Sequence, residues 1–593
     1  MIRESHDADI AGKAYDARLM KRLLSYVRPY KGQVAASVVL LLAAAAAELA
    51  GPYLIKVGID KYIAAGDRSG LAVTAAALLG VNIVAFLLNY WQLYLMNLTG
   101  QSVIYDMRTE LFAHVQKLSL SFFDKNPVGR LMSRIMGDIQ VLNDLFTSGV
   151  VMALGDLFTL LGIMGIMLAL NVKLALVTFV VLPMLFVTSM VFRSKVRRVF
   201  RVIRRAIARI NGYLQENITG MRTVQMFNRE EKNFQRFSEL NHDHLAAYLR
   251  SILYYAIFFP TIEIIGAIAT ALIIWYGGRQ VLDDALTLGT LVAFTQYTTR
   301  FFQPIRDLSE KYNIMQGAMA ASERVFKLLD TRPGLSDPVE GLLPPGDGGH
   351  VEFEDVTFAY DSEDVLKNVS FKVEPGESVA FVGATGGGKS TIMNLLCRFY
   401  DPRSGEIRLD GVSVRDIDPD FLRRQLTIVL QDVYLFSGTI RDNIRLGNSD
   451  ISDEMVDDAV RRARVDELLK KLPNGLDQQV GERGVTLSAG QRQLIAFARA
   501  LAFDPRILVL DEATSSVDPE TEALIRDASA EVMKGRTSLV IAHRLSTIKG
   551  VDRIIVIHKG EIREMGTHQA LLEKRGIYHK LYQLQYRDQE TLA

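Results

Sequence analysis

A chain of 593 residues is too long for one hydrophobic core, so at least two domains are expected. Its 68 Lys and Arg nearly cancel its 67 Asp and Glu, which removes a basic nucleic-acid footprint. The only cysteine is Cys397, which excludes an internal disulfide and a Cys-based zinc site. The opening stretch, Met1 to Arg22, is mixed in charge and has no apolar core of the signal-peptide kind.

Long uncharged runs dominate residues 1–330, and a charge-free stretch of about 18 residues nominates a transmembrane helix. Val34 to Ile55 contains Glu48 near its far end. Ser69 to Tyr105 carries no charge over 37 residues, more than one bilayer needs, so that helix tilts or continues past the membrane. Phe146 to Val172 is broken only by Asp156, Leu174 to Phe192 is clean, and Ser251 to Gly278 is broken only by Glu263. Leu286 to Thr299 is shorter and leads into FFQPIRDLSEKYN. The reading is six spans, at about 34–55, 71–98, 146–172, 174–192, 252–277 and 286–308.

The connections alternate between short and long. Residues 193–250, one of the two long ones, hold 13 Lys or Arg against five acids and no Pro. The positive-inside bias places that segment, and with six spans both termini, in the cytosol. Arg197, Arg201, Arg204, Arg205 and Arg209 fall at helical spacing. The long segments therefore read as helices running out of the membrane and turning back as hairpins. A solvated face and topology signal explain the Arg stripe more simply than an anionic-lipid or nucleic-acid site. Residues 331–349, rich in Pro and Gly, read as a linker to a second domain at 350–593.

In that domain SVAFVGATGGGKST, Ser378–Thr391, is a short apolar strand, a glycine-rich turn and the start of a helix. Gly383 to Ser390 fits G-x-x-x-x-G-K-[ST], the phosphate-binding loop. Backbone N–H groups of Gly383, Ala384, Thr385, Gly386, Gly387 and Gly388 are expected to converge on phosphate oxygens, with Thr391 in the helix that adds its positive end. Lys389 is expected to neutralise the β- and γ-phosphates, and Ser390 to ligate Mg²⁺. Further on, ILVLDE, Ile507–Glu512, reads as a buried strand delivering Asp511 toward Mg²⁺ and Glu512 toward the attacking water.

Between these motifs stands VGERGVTLSAGQRQLIAFARAL, which resembles the signature region of ATP-binding cassette (ABC) proteins. Tyr360 in VTFAY matches that family's adenine-stacking aromatic. Gln431 in VLQD matches its lid glutamine near Mg²⁺ and the γ-phosphate, and His543 in IAHRLST its switch histidine. SSVD, Ser515–Asp518, matches its loop across the dimer. FFDKNPVGRLMSRIMGD, Phe122–Asp138, and QENITGMRTVQMFNREE, Gln215–Glu231, resemble the two intracellular hairpins of ABC exporters. The resemblance covers nearly the whole chain and implies a bacterial half-transporter of the multidrug and lipid exporter group. Its fold would be an α-helical six-span transmembrane domain with long cytosolic extensions, followed by an α/β P-loop cassette. It would act in the bacterial inner membrane, with ATP and Mg²⁺ as cofactors.

The resemblance also implies an obligate dimer, in which Ser488, Gly490 and Gln491 of one chain hold the γ-phosphate bound to the other. Hydrolysis would separate the cassettes, and the hairpins would pass that motion to the spans. Glu482 and Arg483 stand either for coupling across the dimer or for plain surface charge. Two residues depart from the family's pattern: Gly387 replaces a Ser, and Ala489 the first Gly of LSGGQ. The second, beside an intact Glu512, tilts the reading toward a heterodimer, with a homodimer as the alternative. The implied cargo is a small lipophilic or amphiphilic molecule, with lipid flipping and drug efflux both open. Asp156 and Glu263 either attract cationic amphiphiles or, more simply, hydrogen-bond between helices. An ATP-gated channel, an importer and a soluble cassette ATPase are the weighed rivals; intact Glu512, fusion of the two domains in one chain and the apolar spans count against them in turn.

Overall fold

The structure is a computed structural model that describes residues 16–334, 341–344, 348–384, 386–511, 518–542 and 545–585. It consists of two compact units, residues 1–116 with 128–331, and residues 117–127 with 332–593.

The first unit is helical throughout. Five helical runs among the described residues are long and apolar enough to cross a membrane: Ala17–Ile63, Arg68–Gln116, Val128–Leu170, Val172–Thr219 and Glu230–Leu282. Within them lie α1 (Ala17–Val27), α2 (Lys31–Val57), α3 (Arg68–Gln116), α4 (Val151–Leu170), α5 (Val172–Phe179), α6 (Leu182–Thr219) and α7 (Glu230–Leu272). A sixth long helix, α8 (Leu288–Leu329), has 42 residues and carries Arg300 and Lys311 along its length. The expected fourth span at 174–192 is interrupted at Val180 and Val181, where α6 restarts with Pro183 in its first turn, the one place a helix tolerates a missing N–H. At 1.5 Å per residue α3 is about 70 Å long, more than twice a hydrocarbon core of about 30 Å. The expected hairpin over 193–250 is present: α6 and α7 are joined by the short helix Met221–Met226 and a turn at Asn228.

Small residues let these helices approach closely. A Cβ on Gly162 of α4 would lie 2.5 Å from Leu49 of α2, and one on Gly100 of α3 would lie 2.7 Å from Asn143 and Thr147. Polar side chains close the remaining gaps. The buried Tyr297 hydroxyl donates to the Leu49 carbonyl at 2.7 Å, and Arg300 donates to the Glu48 carbonyl at 2.5 Å.

The second unit is built on strands β1 (Val351–Phe358), β2 (Leu366–Val373), β3 (Ser378–Val382), β4 (Ser404–Leu409), β5 (Val412–Ser413), β6 (Leu426–Val429), β7 (Gly438–Thr439), β8 (Gln479–Val480), β9 (Ile507–Asp511), β10 (Thr537–Ile541), β11 (Arg553–His558) and β12 (Glu561–Gly566). One sheet runs β2-β1-β4-β5 and is antiparallel; the other, β12-β11-β3-β10-β9-β6, is parallel except for edge strand β12. The inner strands are apolar on both faces because both are covered. Along β3, Val379 and Phe381 enter one core, shared with Phe353 and Phe371 of the antiparallel sheet, while Ala380 and Val382 enter the other, shared with Ile495 and Phe497. The same alternation divides Ile507 and Val509 from Leu508 and Leu510 in β9.

Candidate functional site

Parallel pairing brings the chemistry to one edge. In register, Phe381 of β3 faces Ile541 of β10, Ile541 faces Asp511 of β9, and Leu510 faces Val429 of β6. The glycine loop leaves β3, Gln431 follows β6 by two residues, and Asp511 ends β9, so three sequence motifs meet at the strands' carboxyl ends. Glu512 and His543, which follow β9 and β10 in the chain, lie outside the described residues, as does Thr385.

The loop backbone is pinned at both ends, and both ends require glycine. Gly383 has φ +153°, and a Cβ there would fall 2.1 Å from the Ile557 carbonyl at the end of β11. Gly388 has φ +100° and would place a Cβ 2.6 Å from the Leu366 side chain. Gly386 also has positive φ, +79°, in open space, whereas a Cβ on Gly387 would meet the Ala384 carbonyl at 3.0 Å and the Ile557 carbonyl at 3.6 Å. Helix α9 (Lys389–Leu396) begins directly after the loop.

Lys389 is 6% exposed and its ammonium donates to the carbonyls of Gly383 at 2.8 Å and Ala384 at 3.0 Å. Burial holds its pKa below the ordinary lysine value, and the Asp511 carboxylate opposes that shift. Ser390 is exposed at the start of α9 and Thr391 is buried behind it. Ser390, Asp511 and exposed Gln431 are hard oxygen donors, a set that fits Mg²⁺, an ion that takes few protein ligands and leaves room for phosphate and water.

Tyr360, 41% exposed, comes to the same helix from the turn between β1 and β2: its hydroxyl is 3.4 Å from the Thr391 hydroxyl and accepts from Asn394 at 3.3 Å. Phe358 and Tyr400 hold the ring edge-on, at centroid distances of 4.9 and 5.1 Å. Tyr400 has no motif of its own and escapes sequence reasoning. Its hydroxyl donates to Asp124, and Lys125 pairs with Asp361 at 3.6 Å, so the short helix Leu120–Lys125, the tip of the first hairpin, is fastened beside the aromatic pair. Burial, then the Asp124 carboxylate, raises the Tyr400 pKa.

The signature residues stand at the start of α10 (Ala489–Phe503). Ser488 is its N-cap, accepting from the Gln491 N–H at 3.2 Å, while the Gln491 side chain accepts from the Ser488 N–H at 2.9 Å. Ser488 and Ala489 are exposed and Gly490 is buried. At the other end of α10, Arg499 donates to the Asn443 carbonyl at 2.9 Å and to the Tyr434 carbonyl at 3.4 Å, tying the signature helix to the segment that follows Gln431. Burial lowers its pKa. Glu482 and Arg483 are both exposed, Arg483 with φ +57°.

In the helical unit, Asp156 pairs with Lys311 of α8 at 2.5 Å, and Glu48 accepts from Asn89 at 3.0 Å, so both acids hydrogen-bond between helices. Glu263 is exposed. The sequence reading weighed the acids in this unit and passed over the cations Arg300 and Lys311.

Comparison with known proteins follows the same division. A family profile described as ABC transporter transmembrane region matches residues 34–305, and one described as ABC transporter matches 366–515. The chain is 41% identical to the uncharacterized ABC transporter ATP-binding protein YknV of Bacillus subtilis (strain 168), over 98% of this chain and 96% of that one. It is 38% identical to an ATP-dependent lipid A-core flippase of Syntrophus aciditrophicus (strain SB), over 97% and 95%. With the putative multidrug export ATP-binding/permease protein YgaD of Bacillus subtilis it shares 36% identity, over 96% and 99%.

Proposed function

The chain belongs to the ABC transporter family as a multi-pass membrane protein carrying one ATP-hydrolysing cassette, and from that premise we propose that it exports a lipophilic or amphiphilic molecule by alternating access. Relatives named as a lipid A-core flippase and a putative multidrug exporter support an amphiphilic cargo. The observation that carries the reading is the shared edge of β3, β9 and β6, where the glycine loop, Asp511 and the approach to Gln431 lie side by side.

On this reading adenine stacks on the exposed face of Tyr360, whose edges are held by Phe358 and Tyr400. The loop's N–H groups receive the phosphates at the positive end of α9. The Lys389 ammonium turns from the carbonyls of Gly383 and Ala384 toward the β- and γ-phosphates. Ser390, Asp511 and Gln431 hold Mg²⁺, which when bound neutralises charge on the phosphate oxygens. Glu512 orients the attacking water and His543 contacts the γ-phosphate. Exposed Ser488 and the N–H of Gly490 serve the nucleotide of a second chain, so the working unit is a dimer. The hairpin tip at Asp124, bonded to Tyr400, supports transmission of cassette motion to the spans. Ala489 beside an intact Glu512 supports a heterodimer.

The test is ATPase activity of the chain expressed alone in lipid nanodiscs, with Glu512→Gln as the blank, and ATP binding with Lys389→Ala as the control. Lys389-dependent binding without turnover is the expected result for half of a heterodimer. Cooperative turnover lost in Glu512→Gln establishes a homodimer instead. Absence of Lys389-dependent binding in folded protein overturns the nucleotide site.

A further inference from the structure

Two helices of the cassette, α11 (Pro519–Met533) and the short α12 (Leu545–Lys549), flank the beginning of β3, and a cavity of about 320 Å³ opens between them. Arg526, Ser529, Ala530 and Met533 line it from α11, at the i, i+3, i+4, i+7 spacing of a single helix face. Lys534, directly after that helix, and Thr547 of α12 complete the wall. The glycine loop leaves the other end of β3, five residues away at about 3.3 Å per residue, so this cavity is separate from the nucleotide edge.

No carboxylate lines the cavity. Arg526 and Lys534 are exposed, and neither forms an ion pair among the described residues. The Ser529 side chain is 6% exposed and Thr547 is half-buried, and neither hydroxyl has a partner among the described residues. Buried hydroxyls are ordinarily hydrogen-bonded, so a pair left open beside two cations marks a place for an acceptor. Ser378, also in the wall, is already engaged: its N–H and hydroxyl donate to the Asp552 carboxylate at 2.9 and 2.6 Å. Those two bonds hold the Asp552 carboxyl below the usual carboxylate range.

We propose that this cavity binds a small organic phosphate. Arg526 and Lys534 take its two negative charges, the Ser529 and Thr547 hydroxyls donate to its oxygens, and Ala530 and Met533 cover its carbon skeleton. A phosphate matches two cations and several donors at once, whereas a carboxylate brings one charge and two oxygens. The volume lies at the lower end of the roughly 300–1,000 Å³ typical of small-molecule sites, more than a bare phosphate fills. The site also has a place in the cassette's chemistry. Helix α11 starts directly after SSVD, Ser515–Asp518, and α12 starts two residues after His543. A molecule held between the two helices ties together the segments that carry both motifs.

The test is calorimetric titration of the full chain in nanodiscs with phenyl phosphate, in a Lys389→Ala background that removes the glycine loop's own cation. Saturable binding is expected in about the millimolar range or tighter. It is expected to weaken about tenfold or more in Arg526→Gln, Lys534→Gln and to persist within about threefold in Lys534→Arg. Ala530→Trp fills the cavity and keeps both cations, and is expected to abolish binding. Absence of saturable binding, or an unchanged affinity in the double glutamine variant, overturns the proposal. Undiminished binding in Ala530→Trp overturns the cavity as its seat, and equal affinity for benzoate overturns the assignment to phosphate. Hydrogen exchange supplies the second readout: phenyl phosphate is expected to slow exchange in both α11 and α12, and slowing in one alone overturns the link between them. Neither readout involves ATP hydrolysis, so failure here and failure of the transport reading are separable.

Discussion

Gly383 and Gly387 lie four residues apart in one loop, yet their surroundings predict opposite outcomes. A methyl group on Gly383 would meet the Ile557 carbonyl at 2.1 Å, and strand backbone cannot yield the shift of about an ångström that this overlap demands. Gly383→Ala is expected to abolish ATP binding, measured by a fluorescent nucleotide. Gly387→Ser needs only a few tenths of an ångström from the Ala384 carbonyl and is expected to leave binding within about twofold, far below the tenfold that about 1.4 kcal/mol would give. Cys397 supplies a different check. It is 5% exposed, and burial pushes its pKa up to about 12. The thiol therefore stays protonated at neutral pH, and maleimide is expected to label it only after denaturation. Because burial favours the neutral thiol, its contribution to folding is whole below the ordinary thiol pKa and is lost as pH rises toward about 12. Labelling of the native protein at pH 7 would contradict this packing.

At the scale of elements, α10 has two ends with two tasks. Its N-terminus presents Ser488 and Ala489 to solvent, while Arg499 near its C-terminus holds the Tyr434 and Asn443 carbonyls. Arg499→Ala leaves those acceptors without their donor, at an expected loss of about 1–3 kcal/mol of cassette stability by denaturant unfolding. Nothing in the motif LSAGQ announces this, because the arginine's partners come from a separate stretch of chain. Tyr400 was hidden for the same reason: its meaning lies in Tyr360, 40 residues earlier, and in Asp124, from another part of the sequence. In the helical unit Gly162 permits α4 to meet Leu49 of α2, and Gly162→Leu is expected to overpack that contact by roughly 1–3 kcal/mol, read as a lower melting temperature in detergent. An unchanged melting temperature would mean that α2 and α4 part easily.

For the whole molecule, the open question is how two chains share one catalytic unit. Exposed Ala489 sits one residue from the N-cap that would face a second chain's nucleotide. If its methyl group is what disables a self-pair, Ala489→Gly is expected to raise turnover of the chain expressed alone by about tenfold or more, a change of about 1.4 kcal/mol in barrier. No gain would mean that the Ala489 methyl group does not limit turnover of the chain by itself.

Much of this protein was legible in one dimension. Charge-free runs announce the membrane because lipid cannot solvate a charge, and the glycine loop announces phosphate because only backbone without Cβ converges so closely. Both are local constraints, written in consecutive residues. Tertiary structure alone decided which distant groups became neighbours. It matched Asp156 with Lys311, broke the fourth span ahead of Pro183, set Tyr400 between Tyr360 and Asp124, and fastened α1 to the end of α8 by Arg22 and Asp330. Partners such as Arg22 and Asp330 stand 308 residues apart, and no periodicity or spacing records a pairing that only packing creates.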